Sequence, residues 1–393
     1  MDVLAPVLLF AFGVYAIVTL WLVQAPVRRP GEIAASLFMW SWLAGEHPLH
    51  FAALLVAGGG ALVALGGLEA ELGIVGLALT VVGLVGPALS WREASRVGRA
   101  ASRMLGSGGG AVAHQVSWWR FALPAWFADP EVVRTHHHAP GVEVDVYRRR
   151  APVEGRRPIL VYVHGGGWVL GLRRWQGRLF IRRLVRAGWV AVSIEYRRWP
   201  SVRWPAPLDD TRAALAWVRD QVDALGGDAT RIVLSGNSAG AHLAALVALT
   251  DAARAPGHPP IAACVGWYGV YDLVDAAGHW PHDALERLWA WLIIGQGKDE
   301  APERWRDASP LSHVHAAAPP FVLVHGTRDT LVPIASMRAF ADRLEAVTGR
   351  AVTRFEVEGA QHAFDVFTSR RGAFAVEVVA HALASIETPT ARP

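Results

Sequence analysis

The chain has 393 residues, 52% hydrophobic and 18% charged, with a mean hydropathy of +0.26; this is too apolar for an ordinary soluble domain and far from the composition of disorder, so part of it belongs in lipid. A single cysteine, Cys264, excludes an internal disulfide framework and any cysteine-based zinc or iron–sulfur centre. The net charge of +4 comes mainly from arginines in short runs rather than interleaved with aromatics along one helix, which argues against nucleic-acid binding.

Val3 to Val23 carries no charge over about 21 residues, the length a helix needs to cross a hydrocarbon core, and predicts a transmembrane helix. Val23-Gln24-Ala25 resembles a signal cleavage site, but Asp2 stands where a signal peptide has a basic n-region. Ile33 to Leu43, with Phe38, Met39, Trp40 and Trp42, is too short to cross and is placed in the membrane interface. Two further spans, 49–67 and 72–89, are separated by Leu68-Glu69-Ala70-Glu71 and predict a helical hairpin. Ala57 and Ala61, with Gly60 and Ala64, are expected to face Gly73, Gly76, Gly83 and Gly86, because small residues let lipid-embedded helices approach closely.

Arg28 and Arg29 follow the first span, and Arg92, Arg96, Arg99 and Arg103 follow the third, whereas the intervening turn is acidic. The positive-inside rule then places the N-terminus outside and everything after Trp91 in the cytoplasm, as in a multi-pass protein of the cell membrane. Gly106 to Gly110 has no preceding strand and no following Lys-Ser/Thr, so it reads as a linker rather than a nucleotide loop. The expected division is a membrane region over 1–91, a linker with a candidate cap over 92–130 and a catalytic domain over 131–393.

His136-His137-His138 places His136 and His138 on one strand face, but with no carboxylate or cysteine taken to complete a tetrahedral set it reads as an exposed strand lead-in, and no metal is expected. After Pro140, short β-branched runs alternate with amphipathic stretches, the pattern of a parallel sheet covered by helices. Ile159–Val163, Val190–Ile194, Ile232–Leu234, Ala263–Trp267 and Phe321–Val324 are predicted strands; Pro207–Leu225 and Ala239–Leu249 are predicted helices. Arg148 to Arg150, Arg156 and Arg157 read as solvated loop charges, which near anionic headgroups would hold the domain to a bilayer.

Gly236-Asn237-Ser238-Ala239-Gly240 lies between the strand RIVLS and the helix AHLAALVAL. That context suits a G-x-S-x-G turn, in which glycines permit a tight strand-to-helix corner that exposes the serine hydroxyl at a helix N-terminus. Serine is a poor nucleophile at neutral pH and needs a general base held by a third group. Asp329 in GTRDTLVP and His362 in GAQHAF follow later strands and give the order Ser, Asp, His. Ser238 is thus the candidate nucleophile, His362 its base and Asp329 the group that orients the imidazole. His164-Gly165-Gly166-Gly167-Trp168, directly after ILVYV, supplies backbone donors; the N–H groups of Gly166, Gly167 and Ala239 are the candidate oxyanion hole, and His164 is a loop anchor.

These motifs, with EYRRWPSVRWPAPLDD at 195–210 and SPLSHVHAAAPPFVLVHGTRDTLVP at 309–333, resemble the hormone-sensitive-lipase-like branch of the α/β-hydrolase esterases, across residues 130–385. With the N-terminal apolar region, the whole is similar to membrane-anchored arylacetamide-deacetylase-like enzymes. The resemblance implies an α/β-hydrolase fold, hydrolysis of a small-molecule or lipid ester through an acyl-enzyme, and neither metal nor organic cofactor. Asn237 and Ala241 stand where this family usually has an acid and a glycine. The family often builds a cap where Trp118, Trp119, Trp126 and Phe127 lie, with the membrane interface as the alternative, and the insertion with Trp280, Trp289 and Trp291 beside Leu288, Leu292 and Ile293 reads as cap or pocket wall, with plain helix packing as the alternative. An amidase or deacetylase with the same triad is the alternative, and a non-catalytic hydrolase-fold membrane protein a more distant one.

Overall fold

The structure, a computed structural model, describes residues 3–25, 32–106, 131–139, 141–254, 257–276, 278–280 and 283–387. The arginine pair at 28–29, most of the glycine linker and the aromatic residues at 118–127 lie outside the described residues. The chain divides into two compact units. One comprises Met1–Ala125, Gly326–Leu331 and Val357–Phe374; the other comprises Trp126–His325, Val332–Glu356 and Ala375–Pro393.

In the first unit, α1 (Leu4–Gln24), α2 (Glu32–Glu46), α3 (Pro48–Leu62, continuing as a wider turn to Gly67), α4 (Glu71–Gly83) and α5 (Val85–Leu105) follow in order. Among the described residues, three stretches are long and apolar enough to cross a membrane: Leu4–Gln24, Pro48–Gly67 and Glu71–Leu105. The last outruns the expected third span because α5 continues as an amphipathic helix, burying Glu93, Ala94, Val97, Gly98 and Ala101 along one side.

The expected packing within the hairpin is corrected. Ala57, Gly60, Ala61 and Ala64 are exposed, and the glycines of α4 and α5 face α1 instead. A Cβ at Gly76 would come 2.5 Å from the Leu9 carbonyl carbon, one at Gly83 2.5 Å from the Ala16 Cβ, and one at Gly13 2.3 Å from the Gly76 oxygen. A stripe of small residues specifies a close approach but not its partner, and Gly13 and Ala16 of α1 offer the matching face.

The second unit holds nearly all of an eight-stranded sheet in the order β1-β2-β4-β3-β5-β6-β7-β8. Its strands are β1 (Val132–Ala139), β2 (Val142–Arg149), β3 (Arg157–Val163), β4 (Val190–Ile194), β5 (Gly227–Asn237), β6 (Ala263–Trp267), β7 (Phe321–Gly326) and β8 (Thr353–Val357). β3 pairs in parallel with β4 and β5, as β5 does with β6 and β6 with β7. The first two strands form an antiparallel hairpin whose second strand also runs antiparallel to β4. Every residue of β4 and β6 is buried, which is why these strands read as unbroken apolar runs rather than alternating ones. Between the strands lie α6 (Arg178–Arg186), α7 (Ala206–Asp220), α8 (Ala239–Arg254), α9 (Ala284–Trp289), α10 (Pro302–Asp307) and α11 (Ile334–Thr348), and α12 (Arg370–Glu387) closes the chain.

Candidate active site

Ser238 joins β5 to α8 in a left-handed backbone conformation, φ +52°, which costs a non-glycine residue on the order of 1–3 kcal/mol and persists only where its surroundings impose it. Here the Ser238 N–H donates to the Trp267 carbonyl at 2.9 Å, and its own carbonyl accepts the His242 N–H at 3.1 Å. Gly240 can only be glycine, because a Cβ there would stand 2.1 Å from the Val163 oxygen. The corner is therefore drawn tightly against the end of β3.

The loop leaving β3 touches the same corner. A Cβ at Gly165 would meet the Asn237 oxygen at 2.5 Å and the Ser238 Cβ at 3.0 Å. Its N–H is already engaged, donating to Asn237 Oδ1 and Gln176 Oε1 at 2.7 Å each. Gly166 and Gly167 follow with φ +122° and +62°, backbone conformations that favour glycine. Asn237, which replaces an acid common in the resembling family, also donates from Nδ2 to the Tyr268 hydroxyl at 2.9 Å. It thus ties the glycine loop, the serine corner and the end of β6 together. The sequence flagged it only as a departure.

His164 anchors that loop, as expected. Its ring is fully buried, stacks on Tyr196 with centroids 4.4 Å apart, and bonds through Nε2 to Glu195 Oε1 at 3.0 Å. Burial would raise the Glu195 carboxyl, but the hydrogen bond and charge of His164, joined by those of Arg198, outweigh it and hold the group down to about 2. Arg173 bonds the other carboxylate oxygen at 3.1 Å. The wall beyond the glycines is aromatic: Trp168 meets His242 edge-on at 5.0 Å and Trp289 at 6.4 Å, and Trp280 meets Trp289 at 4.9 Å. Of the expected wall, Trp289, Leu292 and Ile293 are buried, whereas Leu288 and Trp291 are exposed. His242, buried one turn after Ser238 with Nε2 donating to the Ala308 carbonyl at 2.6 Å, is pushed down to about 4 by its burial and is neutral near pH 7.

The other unit brings the remaining pair together. Asp329, after β7, and His362, after β8, are both buried, and His362 Nδ1 donates to Asp329 Oδ2 at 2.7 Å. The second carboxylate oxygen accepts the Leu331 N–H at 2.9 Å. Gln361, which sequence reasoning passed over despite its place beside the histidine, clips the two loops. Its Oε1 accepts the Thr330 N–H at 2.9 Å, the Thr330 hydroxyl at 3.1 Å and the His362 N–H at 3.2 Å. From α2, Trp42 Nε1 donates to the Ala363 carbonyl at 3.2 Å, and Phe38 stands edge-on to the His362 ring at 6.5 Å. A base held by a carboxylate through Nδ1 has the correct tautomer to accept a proton at Nε2.

The hairpin sets Glu143 opposite His138 and Asp145 opposite His136, which corrects the expectation that no carboxylate stands beside the histidine run. Carboxylates are therefore close by.

Comparison with known proteins places these motifs in context. The BD-FAE family matches residues 144–344. Esterase LipC of Mycobacterium tuberculosis is 40% identical over 244 residues, 59% of this chain and 59% of that protein, and Esterase LipQ of the same organism is 38% identical over 62% of this chain and 59% of its own length. The chain therefore spans about three fifths of the curated relatives it matches. A thermophilic esterase of Thermogutta terrifontis, solved with propionate bound, superposes with a TM-score of 0.55 at 25% identity, over 67% of this chain and 97% of that one.

Proposed function

On the premise that this chain belongs to the BD-FAE family of α/β-hydrolase esterase domains, we propose that it is a membrane-anchored serine carboxylesterase or lipase. Ser238 attacks the ester carbonyl while His362 Nε2 accepts its proton. The imidazolium so formed is stabilised by Asp329, and the oxyanion of the tetrahedral intermediate is held by the N–H groups of Gly166, Gly167 and Ala239. Collapse expels the alcohol, protonated by His362, and leaves an acyl-Ser238 ester. A water molecule deprotonated by the same histidine hydrolyses that ester. The observation that carries this reading is the 2.7 Å bond between His362 Nδ1 and Asp329 Oδ2, because a base pre-oriented by a buried carboxylate has no need of a metal or cofactor to activate a serine. The strained Ser238 corner and the glycine loop against it support the same roles.

The anchoring part of the proposal rests on the three long apolar helices. With them in the bilayer, the substrate class is an acyl ester that partitions into or near the membrane, and the arginines after Trp91 put the catalytic residues on the cytoplasmic side.

The test is hydrolysis of p-nitrophenyl esters from acetate to palmitate by the full chain in detergent, beside Ser238→Ala and a matched anilide. The expected result is ester turnover reduced by a factor on the order of 10⁶ in the variant, with little turnover of the anilide. Equal turnover of wild-type and variant would remove the serine mechanism, and faster anilide cleavage would make the protein an amidase.

A further inference from the structure

We propose that the β1–β2 hairpin carries a zinc-type divalent metal site formed by His136, His138 and Glu143, independent of the ester chemistry. Strand alternation puts His136 and His138 on one face of β1, and the register His136↔Asp145 and His138↔Glu143 sets two carboxylates of β2 on that same face. One ligand atom from each of His136, His138 and Glu143 lies within 4.8 Å of the other two, and all three residues are exposed. The histidine rings stand nearly perpendicular, 79°, with centroids 4.7 Å apart.

The surroundings are those of a metal site rather than of a chance cluster. His136 Nδ1 bonds Asp145 Oδ1 at 3.0 Å, and Asp145 is completely buried. A carboxylate behind a histidine favours the tautomer that leaves Nε2 as a lone-pair donor; Arg173 Nη2 also stands 3.3 Å from the same Nδ1, and ligation requires that guanidinium to stay with its carboxylates. Asp145 itself is not a ligand, since Arg134, Arg173 and Arg174 already surround it at 3.6, 3.5 and 3.1 Å. Glu143 is held by a single cation, Arg173, at 2.9 Å, and Arg173 has Glu195 and Asp145 to retain when Glu143 turns to a metal. Two neutral imidazoles and one carboxylate, with a water molecule in the fourth position, make the donor set that tetrahedral zinc accepts.

The experiment uses the full chain in detergent, free of any histidine tag and treated with chelator, titrated with Zn²⁺ by calorimetry and with Co²⁺ by visible absorption. We expect one equivalent bound per chain, with affinity reduced by at least about tenfold in each of His136→Ala, His138→Ala and Glu143→Gln. Zinc should raise the melting temperature of the wild-type protein and not that of the His136→Ala/His138→Ala double variant. Failure of the wild-type protein to bind saturably, or a titration unchanged in the double variant, overturns the site. Because every readout is binding or stability, neither outcome depends on whether the chain hydrolyses esters.

Discussion

Asn237 does with an amide what an acid at the same place does with two oxygens. Its Oδ1 accepts from Gly165 and its Nδ2 donates to the Tyr268 hydroxyl. Asn237→Asp keeps the first bond and reverses the second, with the tyrosine hydroxyl becoming the donor, so near wild-type stability and ester turnover are expected. Asn237→Leu removes two buried hydrogen bonds, those to the Gly165 N–H and the Tyr268 hydroxyl, and should cost about 1–3 kcal/mol in denaturant melts together with most of the turnover. Gln361 is a second such residue, since three donors converge on one of its oxygens. Gln361→Leu should lower kcat with little change in KM, and Gln361→Glu, which keeps the acceptor, should recover part of it. His242 governs acid stability. Its folded pKa of about 4 lies below the 6.5 of an unperturbed histidine. Between these values the unfolded chain binds a proton that the folded one does not, so stability falls as pH drops from 6.5 to 4, by on the order of 3 kcal/mol. His242→Gln should flatten that slope, as measured by thermal melts across the range.

At the scale of elements, the two loops bearing Asp329 and His362 are held by the N-terminal helices. Glu93 of α5 bridges two arginines. It accepts from Arg328, the neighbour of Asp329, at 2.8 and 2.9 Å, and from Arg371 of α12 at 3.0 Å. Arg328 also reaches Gln24 at the end of α1. Arg371, only 2% exposed, also donates to the Gly45 carbonyl of α2 and the Glu358 carbonyl ahead of His362. Burial pushes the nearby Glu46 carboxyl up, with the charge of Arg371 opposing it, and Glu93 is the carboxylate that bonds both arginines. Glu93→Gln leaves two arginines without it, and a loss of about 3–5 kcal/mol is expected, with a fall in kcat larger than that caused by Arg96→Ala. Arg96 pairs with Glu358 from α5 as well, but both are half exposed and such pairs contribute little.

At the scale of the molecule, the first unit does more than supply long apolar helices. A chain beginning at Glu131 would retain Ser238, Asp329 and His362 but lose Gln24, Trp42, Ser90 and Glu93, and with them the partners of Arg328, Arg371 and the Ala363 carbonyl. Such a truncated chain is expected to remain unlabelled by a fluorophosphonate that labels the full chain at Ser238. Labelling at the full-length rate would show that the helices serve only as an anchor. The membrane arrangement has its own check. A reporter fused after Trp91 should be active in the cytoplasm and silent outside.

Some of this was open to reading in one dimension, because the physics concerned is local. Apolar length marked three spans, β-branched runs marked five strands, and the serine corner declared itself through glycines whose neighbours leave no room for a Cβ. The order of Ser238, Asp329 and His362 along the chain was likewise visible, since each follows a strand at a loop of recognisable composition. Which surfaces meet is a different kind of fact. The glycines of α4 and α5 were legible as a packing face, yet they turn to α1, because small residues encode proximity without encoding a partner. Glu143 and Asp145 lay within nine residues of the histidine run but became its neighbours only through the antiparallel register of a hairpin. Nothing in the sequence singled out Glu93, and only tertiary structure made it the buried link between two arginines distant in the chain. Local sterics and hydropathy repeat along a sequence and can be counted there, whereas the pairing of remote polar groups is decided when burial leaves each of them one partner within reach.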